Sequence, residues 1–379
     1  MSEQPLIATD VVEPVDETIR LLGICNACRY CEGYCPVFQT MTQHRTFAAD
    51  TADYLANLCH NCMACYHACQ YKPPHPFSVN VPSALAATRT ATYEAFAWPG
   101  VFANLFKRNG LVVSTAIALG LAIVLGLTVL MNDSQVLLGT HTEPGAFYQI
   151  IPHAVMVAVA GTSFVGALLA LTVSLLRFAR HIGLRRRDLS RWRVWRQAIS
   201  QVVTLEHLGG GHGDGCNTVD DAYSNRRRVF HHLTMWGFML CFAATCVATV
   251  YEYFLNRLSP FPYFSLPVML GSIGGLGLLI GCAGLFVVKL NTAREPLHIR
   301  GMGMDYAFIN LLFWISLTGF ALLFWRETQA MGLLLAIHLG FVLAFFVTLP
   351  YSKFVHGAYR GLALLKYAAD SQGQATKGH

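Results

Sequence analysis

Charged side chains are scarce: they make up 13 % of this 379-residue chain, against 54 % hydrophobic residues. That imbalance excludes an ordinary soluble globular surface. Lysine and arginine are missing altogether from the connection Asn132 to Ile150. A G-x-G-x-x-G turn after a strand is missing too, so no dinucleotide or flavin fold of that kind is expected here. The polar, acidic start Met1 to Glu17 lacks a signal-peptide pattern, which places the thiols in a reducing cytosol and argues against disulfides. The apolar segments show no clear inverted repeat and few internal charges, which argues against a transporter.

Cysteine, by contrast, is concentrated. Cys25, Cys28, Cys31 and Cys35 follow the spacing C-x2-C-x2-C-x3-C ahead of Pro36, and Cys59, Cys62, Cys65 and Cys69 repeat it. This is the ferredoxin arrangement for two 4Fe-4S clusters, in which the fourth cysteine of each run ligates the other cluster. The expected ligand sets are therefore Cys25, Cys28, Cys31 with Cys69, and Cys59, Cys62, Cys65 with Cys35. Zinc ribbons use paired C-x2-C half-sites separated by a longer loop, without a third thiolate two residues on. Gln70 stands where a proline is expected after the second run, although Pro73 and Pro74 follow.

Six segments are long enough to cross a bilayer as helices: Leu111 to Met131, Ile151 to Leu176, Val229 to Phe254, Phe264 to Leu290, Met304 to Trp325 and Thr328 to Lys353. The stretch Arg177 to Arg228 holds eleven arginines, so it is read as cytoplasmic and Asn132 to Ile150 as external. Both termini then lie in the cytoplasm with the clusters, in a bacterial inner (cytoplasmic) membrane. The net charge of +6 is thereby a topology signal and gives no reason to expect nucleic-acid binding.

The expected fold is mostly α. Residues 1–90 are read as a two-cluster ferredoxin-like domain, 91–110 as an interfacial linker, 111–356 as a six-span haem-type domain and 357–379 as a cytoplasmic tail. Phe47 to Leu58 reads as a short helix capped by Asp50 or Thr51, residues 71–90 as proline-punctuated, and Tyr93 to Arg108 as an interfacial segment. The glycine-rich stretch Leu208 to Cys216 reads as a flexible loop. Gly271, Gly274, Gly275, Gly277 and Gly281 suggest close helix packing.

Histidine inside a span is costly without a partner and so marks a candidate site. His338 and His356 are 18 residues apart, five turns of an unbroken helix, which sets them on one face about 27 Å apart. His231 and His232 lie at the cytoplasmic side of the third span. They point about 100° apart, so only one of them can pair with His356 on a b-type haem. A second, distal haem at His338 lacks a clear partner: the third span offers Met239 and Cys241, and His153 lies near a helix start.

The phrase Cys25-Asn26-Ala27-Cys28-Arg29-Tyr30-Cys31-Glu32-Gly33-Tyr34-Cys35-Pro36, followed by Cys59-His60-Asn61-Cys62-Met63-Ala64-Cys65-Tyr66-His67-Ala68-Cys69 and a six-span half, resembles the tricarballylate/citrate utilization protein B family. The resemblance runs over essentially the whole chain. It implies an iron-sulfur membrane protein that reoxidises the FAD of a partner tricarballylate dehydrogenase and delivers electrons to quinone. The last five spans are also similar to the haem-carrying gamma subunit of respiratory nitrate reductases, whose second and fifth helices supply haem-ligating histidines. The third and sixth spans correspond here, with Pro350-Tyr351-Ser352-Lys353-Phe354-Val355-His356 as the matching phrase and Cys241 as a departure. The main rival is a membrane redox sensor, which should carry an output domain.

Overall fold

The computed structural model describes residues 13–210 and 213–375. Its regular structure is helical, with one isolated bridge between Cys216 and Ser224 and no strand among the described residues. The N-terminal unit is built from α1 (Pro14–Cys28), α2 (Pro36–Met41), α3 (Ala49–Leu58) and α4 (Val81–Phe96). Pro14, Pro36 and Pro82 each sit in a first turn, where the missing N–H costs nothing. Pro82 thus starts α4 inside the stretch read as proline-punctuated, and the Asn80 side chain accepts from Ser83 N as its cap. α3 begins two residues later than expected. Asp50 lies in its first turn, and the cap position is Ala48.

α5 (Asn109–Met131), α6 (His153–His181), α8 (Arg226–Leu255), α9 (Leu266–Leu290), α10 (Met302–Trp325) and α11 (Met331–Thr348) are long and apolar enough to cross a bilayer. Side chains such as Leu130 and Phe254 stand largely exposed on them. In water that surface would be a liability; in hydrocarbon it is the favoured arrangement. α7 (Trp192–Val203) lies between α6 and α8, and α12 (Val355–Ala375) closes the chain.

The expected sixth span, Thr328 to Lys353, ends at Thr348. Pro350 has no N–H to continue the helix, and a 3-10 turn, Leu349–Tyr351, intervenes before α12 begins at Val355. His338 and His356 are consequently on different helices, so an unbroken five-turn face does not connect them. Residues from 357 onward continue α12, which packs against α3, α6 and α7.

Small residues set the tightest helix contact, between α8 and α9. A Cβ on Gly274 would lie 2.7 Å from the Gly237 carbonyl and 2.8 Å from Cys241 N, and one on Gly281 would lie 2.6 Å from Thr234 N. Backbone cannot retreat as a side chain can, so these positions need glycine. α6 is 29 residues long, about 43 Å, longer than the roughly 30 Å hydrocarbon core. Its end projects to the N-terminal unit, where His181 Nε2 meets Asp53 Oδ2 of α3 at 2.8 Å. α12 and the N-terminal unit thus meet at one end of the bundle.

Candidate functional site

α1 delivers Cys25 and Cys28 in its last turn. It stops there because Arg29 adopts a left-handed conformation, φ 56°, with its N–H on the Cys25 carbonyl at 2.8 Å. The chain then turns Cys31 inward, and a short helical turn, Ala64–His67, brings up Cys69. Cys25, Cys28, Cys31 and Cys69 line one cavity of about 280 Å³, to which Cys65 also contributes. Cys28 is exposed, so this outer cradle opens to solvent. Burial first, then the neighbouring thiols, pushes Cys25 and Cys31 up to about 12. Thiols raised in this way stay protonated near neutral pH, and a nearby positive charge such as bound iron favours the thiolate.

The inner cradle is tighter. Cys35 stands at the start of α2, Cys59 ends α3, and Asn61 and Met63, φ 56° and 67°, wind the loop so that Cys62 and Cys65 face them. Cys35, Cys59, Cys62 and Cys65 line a cavity of about 20 Å³. Asn61 N–H points at Cys59 Sγ, 3.3 Å away. Burial raises Cys62 to about 12 and Cys65 well above its ordinary range. Among the described residues, no three His, Cys, Asp or Glu side chains converge closely enough to hold a single metal ion. The eight thiols line two cavities instead, and an all-cysteine donor set of this kind is the one that holds iron-sulfur clusters.

The stretch expected to be a flexible loop lies against this inner cradle. Asn217 N–H bonds the Cys62 carbonyl at 3.0 Å, Cys216 Sγ lies 3.1 Å from the Leu208 carbonyl, and His207 stacks edge-on against His60 at 5.5 Å. Gly211 and His212, within the same expected loop, lie outside the described residues. Buried Leu205, Leu208 and Cys216 pack with Cys62 and Met235. No motif marks Cys216, which belongs to neither four-cysteine run.

Three arginines hold the inner loop. Arg89 donates to the carbonyls of Ala56 and Cys59, both at 2.8 Å. Arg360 donates to Cys59 O at 2.7 Å, and Arg227 to Asn61 O at 2.5 Å and His60 O at 3.1 Å. In the sequence Arg227 reads as a topology signal alone, and nothing pairs Arg360 with a residue 301 positions away.

One turn deeper on the same two helices, His231 and His356 face each other with ring centroids 6.1 Å apart. Two metal–nitrogen bonds of about 2 Å plus the ring radii span about 6 Å, so the pair fits bis-imidazole coordination. His356 Nδ1 bonds the Lys353 carbonyl at 2.5 Å, which leaves Nε2 free to be a ligand. His231 Nδ1 is buried with no hydrogen-bond partner. His232 turns away and bonds the Thr204 carbonyl at 3.1 Å. Beside the pair, Asp305 of α10 takes Lys289 Nζ at 2.5 Å and Lys353 Nζ at 2.7 Å, tying α9, α10 and the α11–α12 junction together.

The other candidates are scattered. His338 bonds Thr318 Oγ1 at 3.2 Å and fills the space left by Gly319. His153 is at the opposite end, 3.7 Å from Glu252 and against Tyr148 and Tyr253. Met239 is exposed, and Cys241 packs toward Gly271. The structure brings none of these to His338.

Two family models match the chain: "Citrate utilization protein B Fer4-like domain" over residues 18–95 and "Citrate utilization protein B" over residues 104–377. The chain is 48 % identical over 370 residues to citrate utilization protein B of Escherichia coli, covering 96 % of this chain and 94 % of that protein. No solved structure matches it. The chain belongs to the citrate utilization protein B family, with that family's Fer4-like domain at its N-terminus.

Proposed function

We propose that this chain is a multi-pass membrane electron carrier that takes electrons from the reduced FAD of a partner dehydrogenase and delivers them to the quinone pool. The family resemblance implies a tricarballylate dehydrogenase as that partner, and the name of the relative speaks of citrate utilization. One observation carries the reading: an open thiol cradle, a closed thiol cradle and an imidazole pair follow one another from the exposed Cys28 toward the spans.

Cys25, Cys28, Cys31 and Cys69 would hold one 4Fe-4S cluster, and Cys35, Cys59, Cys62 and Cys65 the other. His231 and His356 would hold a b-type haem. Bound there, these groups supply one-electron carriers between a two-electron flavin and a two-electron quinone. The chain's own residues fix their order. Cys28 keeps the outer cradle accessible to a docking protein, while buried Leu205, Leu208 and Cys216 shield the inner one from water. Arg227 and Arg360 tie that inner loop to the helices bearing the histidines. The arginine-rich Arg177 to Arg228 connection sets this end in the cytoplasm, where a soluble flavoprotein can reach it.

The test uses the full chain in nanodiscs with a photoreduced FAD-dependent tricarballylate dehydrogenase and a water-soluble quinone analogue under anaerobic conditions. The flavin should be reoxidised, and quinol formed, only when the chain is present. Equal flavin reoxidation by the quinone analogue without the chain contradicts the proposal.

A further inference from the structure

Arg89, Arg227 and Arg360 converge on one loop, His60 flanked by Cys59 and Asn61, from three different helices, α4, α8 and α12. Arg89 is only 6 % exposed, and Arg360 Nε is buried without an acceptor. Among the described residues, no carboxylate lies within ion-pair distance of any of the three. Carbonyl oxygens accept from some of their N–H groups, Arg360 Nε excepted, and leave their charge uncompensated. Guanidinium does not shed its proton in a protein. Arg89 is buried and Arg227 and Arg360 are half-buried, and like charges gathered there without a carboxylate are costly to hold, so a missing counter-charge is implied.

The cradle they surround supplies it. Four thiolates on a cubane give a net negative charge that grows by one when an electron is added. The outer cradle has no such arrangement. Arg29 there is exposed and bonds Asn26 O at 3.2 Å, Lys72 bonds His67 O at 3.3 Å, and the cavity is open to water that screens both. Closure alone would make the inner site the harder of the two to reduce, because a buried site resists added negative charge. Three fixed cations act in the opposite direction.

Resting on the two-cluster reading above, we propose that Arg89, Arg227 and Arg360 are positioning charges. They make the inner cluster the more easily reduced of the two, which draws the electron from the outer cradle toward His231 and His356. Their hydrogen bonds to the inner loop go to backbone carbonyls, and Arg227 also meets the Cys216 thiol, which belongs to neither four-cysteine run. Their effect is on energy, through fixed positive charge in a region of low dielectric.

The experiment is an EPR-monitored redox titration of the anaerobically purified full chain, with the two signals assigned through Cys28→Ser in the outer cradle. The inner cluster of the unmodified protein should have the higher midpoint. Arg360→Gln keeps an amide donor for Cys59 O and removes the charge. It should lower the inner cluster's equilibrium constant for reduction at least tenfold, about 59 mV for one electron, and leave the outer midpoint in place. Arg360→Lys should recover most of that shift, and Arg29→Gln should produce none.

If Arg360→Gln fails to load clusters, Arg89→Gln and Arg227→Gln carry the same expectation. Fully loaded Gln variants with an unshifted inner midpoint, or with both midpoints shifted equally, overturn the proposal. An unmodified protein without acid-labile sulfide would instead overturn the cluster reading beneath it.

Discussion

The imidazole of His231 faces that of His356 at 6.1 Å, and one helical turn from each an arginine reaches the inner cysteine loop. Arg227 and His231 are four residues apart on α8, and His356 and Arg360 are four apart on α12. That spacing puts each pair on one helix face. The histidine pair and the inner cradle therefore form a single mechanical unit, in which any shift of α12 is felt at both.

Replacing either facing histidine should remove the haem signal. A dithionite-reduced minus oxidised spectrum of His231→Ala or His356→Ala should lose most of its b-type bands, because an axial ligand is gone. His232→Ala should keep them, since that ring is bonded to the Thr204 carbonyl. A spectrum that depends on His232 and not on His231 would reverse the assignment.

Crossing of the fourth cysteines gives an asymmetric expectation. Cys35 lines the cavity of Cys59, Cys62 and Cys65 although it follows Cys31 in sequence. Cys35→Ser should therefore perturb the EPR signal of the inner cluster and spare the outer one. Damage confined to the outer signal would show that each run serves its own cluster.

Much of this arrangement is legible in the sequence, for particular reasons. The cysteine spacing is a local constraint, so it identifies the cradles directly, and apolar length identifies six spans within a few residues of each end. His356 could not be placed by periodicity alone, because Pro350 breaks the helix on which the five-turn argument relied. The choice between His231 and His232 depends on the rotation of α8 about its axis. That rotation is set by the glycine contacts with α9, a tertiary fact that local spacing does not encode. Arg89 and Arg360 carry no motif at all. Their role arises only when helices distant in sequence meet at Cys59.

The α8–α9 contact should tolerate no added methyl group at its closest point. Gly274→Ala would bring Cβ to 2.7 Å from the Gly237 carbonyl, an overpacking expected to cost about 1–3 kcal/mol or more. Gly161→Ala meets nothing within 4 Å and should be neutral or stabilising by about 0.5–1 kcal/mol. Thermal unfolding of the two variants in the same detergent measures the difference. Equal behaviour would mean that the seam is looser than described.

Docking of the flavoprotein should depend on salt. Arg185, Arg186 and Arg187 lie in the connection that the proposal places on the cytoplasmic face, and such charges speed encounter with an acidic partner. Replacing all three by Gln should slow association at low ionic strength. It should have little effect near physiological strength, where the Debye length is about 8 Å. Cluster and haem spectra should be unchanged. Stopped-flow oxidation of the reduced flavoprotein measures this, and unchanged kinetics in correctly inserted protein would move docking to the N-terminal unit alone.

The whole electron path depends on what the eight thiols hold. Iron and acid-labile sulfide, determined together on anaerobically purified protein, should come to about eight of each per chain, as two cubanes require. Zinc in place of iron, with no acid-labile sulfide, would contradict it.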